Sequence, residues 1–297
     1  MRLGVNVPNF GPGTNPDGLA RWAQTAEQMG LDLLMMSDHV AVTDDVATRY
    51  PAPFYEPFTT LAWVAGVTGR IGIGTTVLIM PYRHPLLTAR MAGNLDRLSG
   101  GRLVLGVGVG WAEQEFAALG VPFRQRGAIT DDYLAALRAC WADDVAEYHG
   151  EFTDFAGIHT APRPRAPNLW IGGNSDSALR RAVRFGDAWH PLGFGMVWLN
   201  SALGRLAAIA EAASRPVPAL APRVRLRPTD ARVTRPDREA GHGTLAQILD
   251  DLVELRDLGA QTVVLDPYNG EPSETLRPED AWRTLATVTE QVASRAT

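Results

Sequence analysis

The chain has 297 residues, 45% hydrophobic and 21% charged, with a formal net charge of −5. That length fits two average domains or one large α/β barrel, and the charge balance argues against a broad basic face for nucleic acid. All 28 basic residues are Arg, which excludes Schiff-base chemistry on a lysine and a Walker-type phosphate loop; the lone Cys140 excludes disulfide frameworks and cysteine metal clusters.

Leu3–Val7 predicts a short apolar strand. The opening decapeptide is too short and too strand-like for a signal peptide. No apolar run reaches the ~18 residues of a membrane span, so a cytoplasmic protein without a membrane partner is expected. Asn15-Pro16-Asp17 opens a helix whose apolar face is Leu19, Trp22, Ala23, Ala26 and Met29, closed by Gly30. Asp32–Met36 is a second strand, ending in Ser37-Asp38-His39. Residues 40–56 then form a polar loop, long for a compact domain, and such loops are functional or mobile. A helix over Pro57–Gly69 follows.

Residues 71–115 carry the densest pattern. Ile71–Leu78 reads as a strand buried on both faces. Pro81 and Pro85 break it and open a helix with Leu87, Met91, Leu95 and Leu98 at helical spacing, stopped by Ser99-Gly100-Gly101. Leu103–Val107 is a fourth strand, which completes a right-handed βαβ unit. Residues 111–128 hold a short helix, and Ile129–Trp141 is the main helix after strand four; Cys140 shares its apolar face and reads as a buried structural thiol. Residues 143–167 have low helical periodicity and are expected to be a long insertion. Asn168–Ile171 is strand five, followed by Gly172-Gly173-Asn174-Ser175 and a helix over Ala178–Phe185. Asp187–His190 is strand six, Val197–Ala213 a helix, Arg223–Arg227 strand seven, and residues 228–242 a charged loop. The helix through Leu245–Leu258, strand eight at Thr262–Asp266 and a helix over Pro278–Ala293 complete the chain.

Eight strands, each followed by a helix, predict an α/β fold of one domain over 1–297: a (β/α)₈ TIM barrel with insertions after strands 2, 4 and 7. A doubly wound sheet is the rival, with fewer strands and a stronger first-strand glycine motif. In a barrel, chemistry gathers where strands run out. That places Asn6, Asn9, Asp38, His39, Thr75, Thr76, Arg83, the glycines 106–110 with Trp111, the Gly172–Ser175 turn, His190, Asp266, Tyr268 and Asn269 on one face. The run Gly106, Gly108, Gly110 lacks the spacing of a dinucleotide loop and has Arg126 where an acid belongs. Alternate glycines bare one strand face, and two readings stand: room for a flat ring, or room for the barrel to close. Gly172-Gly173-Asn174-Ser175 combines free N–H groups, a helix start and a hydroxyl, an anion site that is compatible with a plain N-cap by Asn174 or Ser175. Asp38-His39 leads into a long loop and reads as an acid/base pair or as donors to a ring, against the plainer reading of a satisfied structural histidine at a strand end. His84, His149, His159 and His242 lie in polar surroundings, and no spacing of histidines and carboxylates calls for a metal.

Taken together, SDH at 37–39, GTTVLIMPYRHP at 74–85, LDRLSGGRLVLGVGVGW at 95–111 and LWIGGNSDSALRRAVRFGDAWHP at 169–191 resemble the luciferase-like monooxygenase superfamily, and within it the oxidoreductases that use coenzyme F420. The resemblance covers roughly residues 1–270. It implies a (β/α)₈ barrel holding a deazaflavin, or alternatively FMN, at the strand C-termini, and a non-proline cis peptide at Thr76–Val77. It implies a ring packed near Asp38, Thr76, Val77, Gly108, Gly110 and Trp111, a phosphate at Gly172, Gly173, Asn174 and Ser175, and His39 at the reactive ring face as the catalytic residue. It further implies a homodimer acting on a small-molecule substrate. The sugar-phosphate dehydrogenase branch has a Glu where this chain has Trp111, and an Asn where it has Gln114. That departure points away from sugar-phosphate oxidation and towards a larger, apolar substrate, chosen by residues 40–56, 143–167 and 228–242. A hydride-transferring oxidoreductase is therefore the expectation; an FMN monooxygenase and a non-catalytic flavin-binding protein are the alternatives.

Overall fold

The computed structural model describes residues 1–294. In chain order its strands are β1 (Arg2–Asn6), β2 (Leu33–Met36), β3 (Gly72–Ile79), β4 (Leu103–Gly108), β5 (Val145–His149), β6 (Asp154–His159), β7 (Leu169–Gly172), β8 (Ala188–His190), β9 (Ala219–Leu220), β10 (Arg223–Arg225), β11 (Arg227–Pro228), β12 (His242–Gly243) and β13 (Thr262–Asp266). The helices are α1 (Pro16–Gln28), α2 (Asp44–Ala47), α3 (Pro57–Val67), α4 (Pro85–Leu98), α5 (Glu113–Ala118), α6 (Arg126–Ala142), α7 (Asp176–Phe185), α8 (Met196–Ala212), α9 (Leu245–Asp257) and α10 (Pro278–Ser294).

The main sheet is parallel, in the order β10-β13-β1-β2-β3-β4-β7-β8-β9. Its two edge strands are consecutive in the chain, separated only by Ala221 and Pro222. Ala221 N–H donates to Trp189 on one side at 2.9 Å, and Val264 N–H donates to Pro222 on the other at 2.9 Å. The sheet therefore curls until its ends approach through one short segment. Strand side chains alternate between two apolar environments. Leu33, Met35, Val104, Trp170, Ala188, Ala221 and Val264 pack together inside the curl, while Leu34, Met36, Leu105 and Leu265 join the larger cluster beneath the helices. Burial on both faces is why the strands read as continuous apolar runs.

Local signals hold in several helices. Asn15 caps α1 by accepting from Gly18 N–H at 2.9 Å, and Thr244 and Gln247 form a reciprocal capping box at α9. One burial pattern is not the one the leucine spacing suggests, and two expectations change. Along α4 the buried side is Thr88, Ala89, Ala92, Gly93, Leu95 and Asp96, and Leu87 and Leu98 are 51% and 73% exposed. Small residues win there because the chain crosses so closely that a Cβ on Gly93 would lie 2.2 Å from the Pro162 carbonyl oxygen. Residues 143–167 are not irregular: β5 and β6 form an antiparallel hairpin. Tyr148 O–H donates to Asp132 of α6 at 2.9 Å and Arg90 of α4 donates to the His159 carbonyl at 2.8 Å, so the hairpin lies on the outer helices. Strand seven, expected as Arg223–Arg227, is formed only over Arg223–Arg225 as β10, with the two-residue β9 before it, while Arg227 starts β11 and pairs with β12.

Candidate active site

The end of β2 delivers Asp38 and His39 into a buried polar corner. Asp38 accepts from Ile79 N–H at 2.9 Å and from both ends of the Arg83 fork at 2.7 and 2.8 Å, and Arg83 also reaches Glu56 at 3.0 Å. Burial pushes the Asp38 carboxyl up against the pull of Arg83, and the same carboxylate raises Arg83 against its own burial. Asp38 thus anchors β3 to β2 with no free oxygen facing outward. His39 is held differently. Its Nδ1 lies 2.6 Å from Glu115 Oε2, which also accepts from Tyr82 O–H at 2.9 Å. The other oxygen of Glu115 accepts from Val40 and Ala41 N–H at 2.6 and 3.0 Å. Burial alone would raise the Glu115 carboxyl, but His39 and the two backbone donors outweigh it and hold it below its ordinary value. Tyr82 is pushed well up by burial and by the Glu115 charge, so its phenol stays a donor. An ionised Glu115 accepts from Nδ1–H, and Nε2 of His39 has no hydrogen-bond partner among the described residues. Around the imidazole stand Tyr50, stacked at 5.5 Å, and Phe54 and Trp111, edge-on at 5.4 and 5.6 Å. Trp111 is 40% exposed, and the guanidinium of Arg49 lies over it at 5.0 Å.

Beside this corner β3 breaks register with β4 between Thr75 and Leu78, and the Thr76–Val77 peptide is cis. Thr76 is held on both sides. Its hydroxyl is 2.8 Å from His190 Nε2, and its carbonyl accepts from Arg223 at 2.8 Å. Arg223 also donates to Asp266 Oδ2 at 2.7 and 3.0 Å, and Asn6 donates to Asp266 Oδ1 at 3.1 Å. His190 Nδ1 bonds the Ala221 carbonyl. Burial, with Arg223 nearby, pushes His190 down to about 4, so it is neutral at neutral pH. Val77 decides what the glycines are for. A Cβ on Gly108 would lie 2.6 Å from Val77 Cγ2, one on Gly172 would lie 2.9 Å from Val77 Cγ1, and one on Gly106 would lie 2.1 Å from the Thr75 carbonyl oxygen. The bare faces of β4 and β7 are therefore filled by β3 itself; the glycines admit the Val77 side chain rather than leaving an open bed. Gly110 turns the chain with φ +77° beneath Ile79 and Phe116.

The Gly172–Ser175 turn opens directly from β7 onto α7. Ser175 is the N-cap, its hydroxyl accepting from Ala178 N–H at 3.2 Å. Asn174 does not cap: its amide bridges to Leu192, donating to the carbonyl at 2.6 Å. Gly173 has φ +113° and its carbonyl accepts from Trp189 Nε1 at 2.8 Å. Gly173, Asn174 and Ser175 are exposed, so the helix start faces outward with free N–H groups. Through Val77, which touches Gly172, this turn adjoins the His190 and Thr76 step. The sequence-predicted residues thus form two adjoining places, His39 with Trp111 and Val77 with Gly108 and Gly172. Glu115, Tyr82 and Arg223 went unrecognised as site residues. Glu115 carries little local signal, since one acid in Ala112-Glu113-Gln114-Glu115-Phe116 looks like the next; only its complete burial separates it from exposed Glu113. Among the described residues no group of three or more His, Cys, Asp or Glu could hold a metal ion, and no helix is long and apolar enough to cross a membrane.

Residues 1–288 match the luciferase-like monooxygenase family, and the chain belongs to it. An uncharacterised protein of Mycobacterium tuberculosis is 32% identical over 209 residues, covering 66% of this chain and 72% of its own. An F420-dependent glucose-6-phosphate dehydrogenase of Kineococcus radiotolerans is 30% identical over 196 residues, covering 64% of this chain and 56% of its own. Among solved structures, a monooxygenase from Streptomyces bottropensis superposes with a TM-score of 0.81 at 20% identity, covering 100% of both chains. An F420-dependent secondary alcohol dehydrogenase bound to an F420–acetone adduct superposes at 0.79 with 14% identity, covering 98% of this chain and 99% of that one. The FMN complex of a type II Baeyer–Villiger monooxygenase from Pseudomonas putida superposes at 0.76 with 16% identity, covering 99% of this chain and 98% of that one.

Proposed function

We propose that this chain transfers a hydride between coenzyme F420 and an organic substrate, with His39 handling the accompanying proton. The observation that carries the reading is the imidazole itself: Nδ1 anchored on buried Glu115 at 2.6 Å, Nε2 unpartnered, and three aromatic rings around it. We take the curled sheet as a complete eight-stranded barrel, β9 and β10 being halves of one strand, and the whole chain as one domain acting as a homodimer. The residues present fit a deazaflavin. Exposed Gly173, Asn174 and Ser175 at the start of α7 would receive its phosphate, and the Thr76–Val77 step, flanked by Asp38, Gly108, Gly110, Gly172 and Trp111, would support its ring. When bound, that ring supplies the hydride chemistry. The protein's part is positional and protonic. Glu115 fixes the tautomer and orientation of His39, so Nε2 is the atom that accepts or returns a proton. Tyr50, Phe54 and Trp111 keep water from it, and Thr76 is locked by His190 and Arg223.

A second reading, an FMN monooxygenase on the same scaffold, draws on the similarity to the FMN-bound monooxygenase fold. Fluorescence titration of the purified protein with F420 and with FMN, side by side, separates the two. F420 is expected to bind at least tenfold tighter than FMN. Tighter FMN binding favours the second reading, and binding of neither overturns both.

A further inference from the structure

A cavity opens beside the candidate site. It has a volume of about 340 Å³, and its lining includes Arg49, Arg223, Arg225, Arg227, Asp266 and Tyr268. Arg223, Arg225 and Arg227 alternate along one extended segment and so point the same way, and Arg49 joins them from the loop after β2. Arg223 is spoken for by Asp266 at 2.7 Å. The other three are undersupplied. Arg225 and Arg227 share a single carboxylate, Glu239, at 3.3 and 3.8 Å, longer than the ~2.7–2.9 Å of a tight charge-assisted bond. The Nε of Arg227 is buried with no hydrogen-bond partner among the described residues. Arg49 rests on the Trp111 ring and has no carboxylate partner among the described residues. Of these three cations, Glu239 meets two and Arg49 rests on a ring, in a protein whose net charge is −5. Guanidinium groups stay charged at any accessible pH, and holding like charges together costs energy unless an anion joins them. The cavity adjoins the candidate site through its lining residues. Tyr50 and Tyr268 are 6.2 Å apart, Tyr50 stacks on His39, and Arg223 reaches the Thr76 carbonyl.

We propose that Arg49, Arg225 and Arg227 form a subsite for an anionic oxyacid group, a carboxylate or a phosphate, carried by the substrate, with Glu239 holding its place when it is absent. The proposal rests on the hydride-transfer reading and deepens it: the substrate has an apolar body against Tyr50, Phe54 and Trp111 and an acidic end among the arginines. The larger, apolar substrate expected from Trp111 is thereby given a charged terminus.

Calorimetric titration of the full chain with inorganic phosphate and with malonate, at fixed ionic strength, tests it. At least one anion is expected to bind at one site. The double variant Arg225→Gln/Arg227→Gln is expected to bind it at least tenfold more weakly. Glu239→Gln, which removes the competing carboxylate, is expected to bind it at least threefold more tightly, a gain that a misfolded variant does not produce. No binding of either anion, or equal affinity in all three proteins, overturns the subsite. Repeating the titration at saturating F420 separates substrate from cofactor: if the binding that the double variant weakens is undiminished, a substrate subsite is supported, whereas loss of that same binding assigns the arginines to an acidic part of the cofactor and overturns the proposal. If F420 itself fails to bind while the anion affinities follow the expected order, the hydride-transfer reading falls and the anion subsite stands.

Discussion

Two buried polar networks flank the Thr76–Val77 step, and they are built to opposite ends. One runs Asn6–Asp266–Arg223–Thr76–His190–Ala221 across the sheet and ties up both ring nitrogens of its histidine. The other, Tyr82–Glu115–His39, satisfies the carboxylate completely yet leaves one imidazole nitrogen unpartnered. Both histidines are nearly inaccessible, at 2% for His190 and 5% for His39, and both lie at the C-terminal ends of strands. The difference lies in unused hydrogen-bonding capacity: a group that has spent both nitrogens on protein partners holds a strand in place, and a group with one nitrogen left over can do chemistry on something else.

The comparison can be broken most forcefully at His39. His39→Asn keeps a donor where Nδ1 stood and deletes Nε2; F420 turnover should fall by ~10²–10⁴-fold while the unfolding free energy changes by less than ~1 kcal/mol. Retention of more than a tenth of the rate would remove His39 from the chemistry. The opposite pattern is expected across the sheet. Asp266→Ala strands the buried Arg223 charge and should cost ~3–5 kcal/mol of stability by chemical denaturation; Arg223→Met on the same background should restore much of it. A loss below ~1 kcal/mol would mean that water already reaches this pair. His190 sharpens the contrast through pH. Burial holds its folded value at about 4, beneath the ordinary 6.5. Between those values the unfolded chain carries the proton and the folded one does not. Stability is therefore complete above pH 6.5 and declines as pH falls towards 4, by ~3 kcal/mol in all, and a His190→Gln variant should lack that part of the decline. The smallest expected effect concerns Val77. Gly108→Ala sets a methyl 2.6 Å from Val77 Cγ2, an overpacking of ~1–3 kcal/mol; a Val77→Ala change on that background should relieve it, and failure to do so would return the glycines to the open-bed reading.

Much of the fold was legible because strand and helix periodicity, Asn15 and Ser175 as caps, and glycine stops are properties of a few neighbouring residues. The buried stripe of α4 was not legible for the same reason. Leu87, Met91, Leu95 and Leu98 have the right spacing, but which stripe is buried depends on what crosses it, and the close crossing by Pro162 selects the small residues instead. Residues 143–167 looked irregular because β5 and β6 are short and pair only with each other around a turn. In the candidate site, Asp38, His39 and Trp111 could be named from their places after strands, whereas Glu115 could not, being one acid among several in a short polar helix.

What the sequence determined by itself is therefore local: an alternating strand and helix series, the chemistry available at each strand end, and the exclusion of lysine and cysteine chemistry. The tertiary structure alone decided the partnerships. His39 meets Glu115 across 76 residues, Thr76 meets His190 across 114, and Asn6 meets Asp266 across 260. Those pairings arise because a parallel sheet that curls back on itself brings the ends of its first and last strands side by side, and a hydrogen bond depends on distances of a few ångströms that no linear pattern encodes. The same closure puts Val77 against Gly108 and Gly172 and gathers four arginines into one cavity.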